Sequence, residues 1–179
     1  MSVIAAVCLA AAISGANTLA LDVSHTRDAI AVQVELVGPL PGQMEAALPS
    51  GAVVRVRYPL RVRAGRRLWW DRRIFRGEMI VTAAFDPLTG RYRCEQTLDE
   101  VIVGSIELDT AAAVSDWLRA PPPVHLSLPE GRWPQRLTVR ARAVFTSSTT
   151  WLVFPSVEGT DWVEVPVELG STPPDAGDE

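Results

Sequence analysis

The chain has no lysine: all seventeen of its basic residues are arginine, so position rather than residue choice carries the information. It is also poor in the residues that build most catalytic centres, with two cysteines and two histidines in 179 residues. Beyond the first twenty residues only Cys94 remains, and a lone thiol forms neither an internal disulfide nor a multi-cysteine zinc site. Its setting, "RYRCEQT", predicts a small core residue in a strand. His25 and His125 lack the i, i+4 or short-loop spacing of metal ligands. Glycine-rich phosphate loops are missing, and no serine sits in a nucleophile elbow. The closest carboxylate groupings, Asp99-Glu100 and Glu107-Asp109, read as turn and cap residues rather than an acid/base pair. These absences point away from an enzyme, and the sequence calls for no cofactor and no metal. The net charge of −4 supplies no general attraction to nucleic acid.

Long apolar runs are equally scarce. Val3 to Ile13 form one of eleven residues, short of the roughly 20 needed to span a bilayer, and small residues follow it. "MSVIAAVCLAAAISGANTLA" therefore reads as an export signal, residues 1–20, with Ala16 or Ala20 before the cleavage point, although no Lys or Arg precedes the run. The expected mature protein is periplasmic or envelope-associated and has no transmembrane span. Residues 21–169 form one domain, and the acidic "GSTPPDAGDE", 170–179, has the composition of a disordered tail.

What is present is mostly period two, the mark of strands with one buried face. In "DAIAVQVELVG", Ile30, Val32, Val34 and Leu36 alternate with Ala31, Gln33 and Glu35. Leu40, Met44 and Leu48 then lie four apart and predict a short helix stopped at Ser50-Gly51. In "VVRVRYPLRVR", Val54, Val56, Tyr58, Leu60 and Val62 share one face, while Arg55, Arg57, Arg61 and Arg63 share the other. Only a strand separates the two sets so cleanly. Pro59 cannot donate to a ladder and marks an edge strand or a bulge. "IFRGEMIVTAAF" is a second long strand with Gly77 as a bulge or bend, and Asp86 to Gly90 turns it into "RYRCEQT". "DTAAAVSDWLRA" reads as a helix with Asp109 as N-cap and Ala113, Val114, Trp117 and Leu118 inward, ended by Pro121 to Pro123. "RLTVRARAVF" repeats the arginine-out alternation, and "WLVFP" and "DWVEVPVEL" close the chain, with Pro166 at an edge. The fold expected is α+β: an antiparallel, meander-rich sheet, sandwich-like or curved, with two short helices.

Charge is distributed unevenly. Nine arginines and one acid, Asp71, fall between Arg55 and Arg76, whereas Glu158 to Glu179 holds seven acids and no base. "RAGRRLWWDRRI" concentrates the first group. One reading is a solvated hairpin face paired with Glu78, Glu95 and Glu164, with Trp69 or Trp70 in the core. A second is an intramolecular clamp in which the acidic C-terminal segment covers the basic face. The third is a docking site for an anionic partner built from Arg63, Arg66, Arg67, Trp69, Trp70, Arg72, Arg73 and Arg76. Arginine suits it because the planar guanidinium grips phosphate or carboxylate bidentately and stacks on indoles. Lipid headgroups or an acidic protein surface are the expected partners.

The N-terminal strand leading to a helix ending "ALPSG", the strand "VVRVRYPLRVR", "RRLWWDRRI", and "FDPLTGRYRC" followed by "RLTVRARAVF" together resemble the family catalogued as domain of unknown function 4390, exported proteins of proteobacteria. The resemblance spans residues 21 to 169. It implies export and a single domain, and it supplies no catalytic residue. The function expected is an envelope-associated binding or assembly module using the Arg/Trp-rich hairpin. A carrier of an apolar ligand, in a cavity between the sheet and the helix bearing Trp117, is the alternative, and an enzyme the weaker one.

Overall fold

Eleven short segments of alternating apolar residues become strands in the computed structural model, which describes residues 17–26, 29–65, 72–127, 136–146 and 157–169. They are β1 (Thr18–His25), β2 (Ala29–Val37), β3 (Val54–Ala64), β4 (Arg72–Asp86), β5 (Arg91–Leu98) and β6 (Val101–Leu108). After the second helix come β7 (Val124–Ser127), β8 (Arg136–Ala141), β9 (Val144–Thr146), β10 (Val157–Gly159) and β11 (Val163–Glu168). The helices are α1 (Gly42–Ala47), prolonged by a 3-10 turn at Leu48–Ser50, and α2 (Ala111–Arg119). The expected N-terminal signal other than Ala20 and its immediate neighbours, the segment "WLVFP" and the acidic tail lie outside the described residues.

The strands form a three-stranded sheet, β1-β2-β7, and an eight-stranded one in which β3, β4, β5 and β6 make a meander. Every strand pairing among the described residues is antiparallel. The fold is thus the mostly antiparallel α+β arrangement that the alternation predicts. One apolar core takes the inner faces of both sheets: Leu19, Ile30, Val32 and Leu36 from the small sheet, Val56, Tyr58, Leu60 and Val81 from the large one. Leu40, Met44 and Leu48 join it from the first helical segment, whose stop is Gly51 in the left-handed region. At α2, Val114 and Leu118 are buried and Trp117 is half-buried. Tyr58 Oη donates to the Leu118 carbonyl at 2.8 Å, tying the end of α2 to the centre of β3. Burial holds that phenol above the ordinary tyrosine range.

Three local expectations change. Pro59 is not on an edge: β3 is flanked by β4 on one side and by β8 and β9 on the other. Its missing N–H coincides instead with the gap between β8 and β9, whose pairings with β3 stop at Leu60–Ala141 and resume at Arg57–Val144. The bulge falls between Val62 and Arg63 rather than at Gly77, which pairs in register with Leu60. A Cβ at Gly77 would meet the Asp99 carboxylate and the Phe75 ring, both of which would have to shift to admit it. The N-cap of α2 is Thr110, whose hydroxyl accepts from the Ala113 N–H, while Asp109 pairs with Arg91 at 3.1 Å. A β-branched hydroxyl in extended backbone can reach that N–H, and the carboxylate finds a better partner across the sheet.

β6 is the free edge of the meander and is exposed along most of its length, including Val101, Ile102, Val103 and Ile106. β1 begins at Thr18, inside the segment expected to be the signal, and pairs with β2 from Thr18–Val37 onward.

Candidate functional site

The outer face of the large sheet is built by strand alternation alone. Burying Val56, Tyr58, Leu60 and Val62 sends Arg57, Arg61 and Arg63 to the opposite side. Burying Leu137, Val139 and Ala141 does the same for Arg136 and Arg140 of β8, the next strand over. The register then puts arginine against arginine. Arg61 faces Arg76 of β4 on one side and Arg140 of β8 on the other, and Arg63 faces Arg73. Side chains directly opposite in an antiparallel pair are about 5 Å apart at Cβ, and like charges so placed destabilise the sheet.

Three carboxylates relieve part of this. Glu78 pairs with Arg57 at 2.9 Å, Glu164 with Arg140 at 2.6 Å and Glu168 with Arg136 at 3.2 Å. Arg61, Arg63, Arg73, Arg76 and Arg142 have no carboxylate partner among the described residues. The Arg61 guanidinium accordingly titrates below the ordinary arginine value, through desolvation first and then the charges of Arg76, Arg140, Arg63 and Arg142.

Trp162, just before β11, lies among these charges. The guanidinium carbons of Arg61, Arg142 and Arg140 sit 4.4, 5.2 and 5.4 Å from its ring centroid. All are within the roughly 6 Å over which a cation is attracted to an aromatic face. Trp162 is held by a break in the edge strand. The Thr160 hydroxyl accepts from the Ala143 N–H at 2.9 Å and the Thr160 N–H donates to the Ala143 carbonyl at 3.0 Å, which fills the ladder positions vacated between β8 and β9. The Nε–H of Arg142 is enclosed there and meets no acceptor among the described residues.

Of the residues expected at the site, Arg63, Arg73 and Arg76 lie together on this face, and Arg72 opens β4 opposite Ala64. Arg66, Arg67, Trp69 and Trp70 lie outside the described residues. Arg61, Arg140, Arg142 and Trp162 complete the face. A signal for the three arginines was available: "RVRYPLRVR" and "RLTVRARAVF" share one alternation and become adjacent strands. The solvated-hairpin reading is right about Glu78 and Glu164, whereas Glu95 forms no ion pair among the described residues. Of the acidic C-terminal segment, Val163–Glu168 lies beside the basic face as the neighbouring strand β11, and residues 170–179 lie outside the described residues.

The other described residues offer little competing chemistry. His25 ends β1 and His125 is exposed on β7, and among the described residues no three His, Cys, Asp or Glu side chains gather around a point that could hold a metal. Cys94 is buried, which pushes its thiol up to about 11. No helix of the described residues is long and apolar enough to cross a membrane.

The model of the family described as a domain of unknown function, DUF4390, matches residues 14–150. The chain belongs to this family. No curated protein and no solved structure matches it. The DUF4390 match contains Arg61, Arg63, Arg73, Arg76, Arg140 and Arg142, and it ends before Trp162 and Glu164.

Proposed function

We propose that the protein is an exported, envelope-associated binding module rather than an enzyme, and that it engages an anionic partner through the arginine face of β4, β3 and β8. The observation that carries this reading is the cross-strand placement of like charges at Arg61–Arg76, Arg61–Arg140 and Arg63–Arg73. Such pairs weaken the free sheet, and an anion laid across them removes the repulsion. Export is supported by the apolar run Val3 to Ile13 and the small residues after it.

The test is co-sedimentation with vesicles containing an anionic lipid, compared with phosphatidylcholine alone, at low and high salt. Wild-type protein should bind the anionic vesicles and be released as salt screens the face. A variant with Arg63, Arg73 and Arg76 all replaced by Ser should lose that binding while melting no lower than wild type, because two cross-strand repulsions are removed. Equal binding by wild type and variant would remove the proposal. The carrier alternative needs open space beneath α2. There Tyr58 donates to the Leu118 carbonyl, and the buried Gln96 amide donates to the Pro122 carbonyl at 2.9 Å and contacts Met79 sulfur at 3.1 Å. These links make that region part of the frame of the fold, so the arginine face is the better supported site.

A further inference from the structure

Within the arginine face one part differs from the rest. Arg63, Arg73 and Arg76 lie on its β3–β4 side, and Arg73 and Arg76 are exposed. Around Trp162, by contrast, three guanidiniums converge on a single half-buried indole, and the Arg142 Nε–H is enclosed without an acceptor among the described residues. The strand register adds Arg76 beside Arg61, so that Arg76, Arg61 and Arg140 stand abreast on three adjacent strands. Strands are about 4.8 Å apart, which places these three side-chain roots within about 10 Å.

We propose that Arg61, Arg76, Arg140 and Arg142, with Trp162 as their aromatic support, form a subsite for the phosphomonoester group of a lipid headgroup. This rests on the reading of the face as an anion-binding surface and names the group it selects. The charge requirement is what discriminates. A carboxylate or phosphodiester brings one negative charge and can answer one guanidinium. A phosphomonoester brings about −1.5 to −2 at neutral pH and three acceptor oxygens, enough to bridge neighbouring arginines and to satisfy an unpaired Nε–H. The site is part of an open sheet face, so the group has to be presented at a surface. An indole that is apolar along its body and polar at its N–H is the side chain enriched where protein meets headgroups.

The charged side chains facing the subsite are Glu78 and Arg76 from β4, Arg61 and Arg63 from β3, Arg140 and Arg142 from β8 and its continuation, and Glu164 from β11 with Asp161 beside Trp162. Both histidines lie in the other sheet, so the subsite itself contains no histidine. The second ionisation of a phosphomonoester falls at about 6. Binding should therefore strengthen as pH rises through that range, and the ligand should be the cause.

The experiment uses the full chain with phosphatidylcholine vesicles carrying either phosphatidic acid or enough phosphatidylglycerol to match the surface potential. Wild-type protein should bind the phosphatidic acid vesicles about tenfold or more tightly, a preference that grows between about pH 5 and pH 8 and is absent for phosphatidylglycerol. Arg61→Lys keeps the charge but loses the planar fork, so it should keep binding to phosphatidylglycerol and lose the preference. Trp162→Leu should reduce the preference in the same way. Equal affinity for the two matched vesicles would overturn the subsite and leave the general anion-binding reading standing. No salt-sensitive binding to either vesicle would sink both. Free inorganic pyrophosphate is the third arm: binding as tight as that of the vesicles would show a soluble phosphate ligand and overturn the lipid assignment.

Discussion

Arg61 concentrates the conflict between stability and binding on this face. It stands between Arg76 and Arg140, and removing one of those repulsions should strengthen the sheet. Arg76→Glu turns a like-charge cross-strand pair into an opposite-charge one. It is expected to raise stability by about 0.5–1 kcal/mol, more at low salt than at high, as measured by urea denaturation. The same change should weaken binding to anionic vesicles, so stability and affinity move in opposite directions. An Arg76→Glu protein no more stable than wild type would mean that the arginines are already relieved of their repulsion.

Cys94 makes a contrasting prediction from burial alone. Its thiol is held at about 11, above the roughly 8.5 of a free cysteine, because the charged form is disfavoured in the core. A folded value raised in this way favours the native state at all pH below the unfolded value and loses its contribution as pH climbs toward about 11. Native protein at pH 8 should thus leave a thiol-specific reagent unreacted, and denatured protein should react in full. Rapid labelling of Cys94 in the native state would contradict its place in the core. The sequence showed the arginine-out faces plainly because period two is a local property. It concealed Trp162, whose partners arrive from β3 and β8, a long way off in the chain.

At the scale of elements, the turns show where local chemistry is strained. Asp99 and Glu100, between β5 and β6, both have positive φ, 47° and 70°. Two such residues make the tight reversal whose twist suits antiparallel strands, a conformation that glycine and asparagine adopt more cheaply than glutamate. Asp99 justifies its position: its carboxylate accepts from the Glu78 N–H at 2.8 Å, and its own N–H donates to the Glu78 carbonyl at 3.0 Å. Glu100 makes no comparable bond among the described residues. Glu100→Gly is therefore expected to stabilise by about 0.5–1 kcal/mol, and Asp99→Gly to destabilise by about as much, both read from urea midpoints. Reversed signs would mean that Glu100 has a role the backbone does not explain. Elements of this kind were legible to different degrees. The Asp86–Gly90 turn follows from its own residues, with Asp86 Oδ1 accepting from the Leu88 N–H at 2.9 Å and Gly90 at φ 70°. Pro59 and Gly77 were not, because their meaning depends on what neighbouring strands do: a gap between β8 and β9 for one, the approach of Asp99 for the other.

For the whole molecule, the two sheets depend on a single core, and the first strand is the test of where the domain begins. Thr18, Leu19 and Ala20 pair with Val37, Leu36 and Glu35, and Leu19 is 1% exposed. If the segment before them is an export signal, cleavage after Ala20 would remove three ladder positions and one fully buried leucine. Losing that burial alone costs about 2–3 kcal/mol. Cleavage after Ala16 leaves β1 entire, because its first residue is Thr18. The mature protein recovered from the envelope should accordingly begin at Asn17, as read by intact mass. Proteins produced to start at Asn17 and at Leu21 should also differ in melting temperature, the shorter one lower by about 5–10 °C. A mature chain that starts at Leu21 and melts with the longer one would show that the small sheet does not need the first turn of its strand ladder. The core would then be held mainly by β2, β3 and α2, and the Tyr58–Leu118 hydrogen bond would become the tie between sheet and helix on which the arginine face depends for its shape.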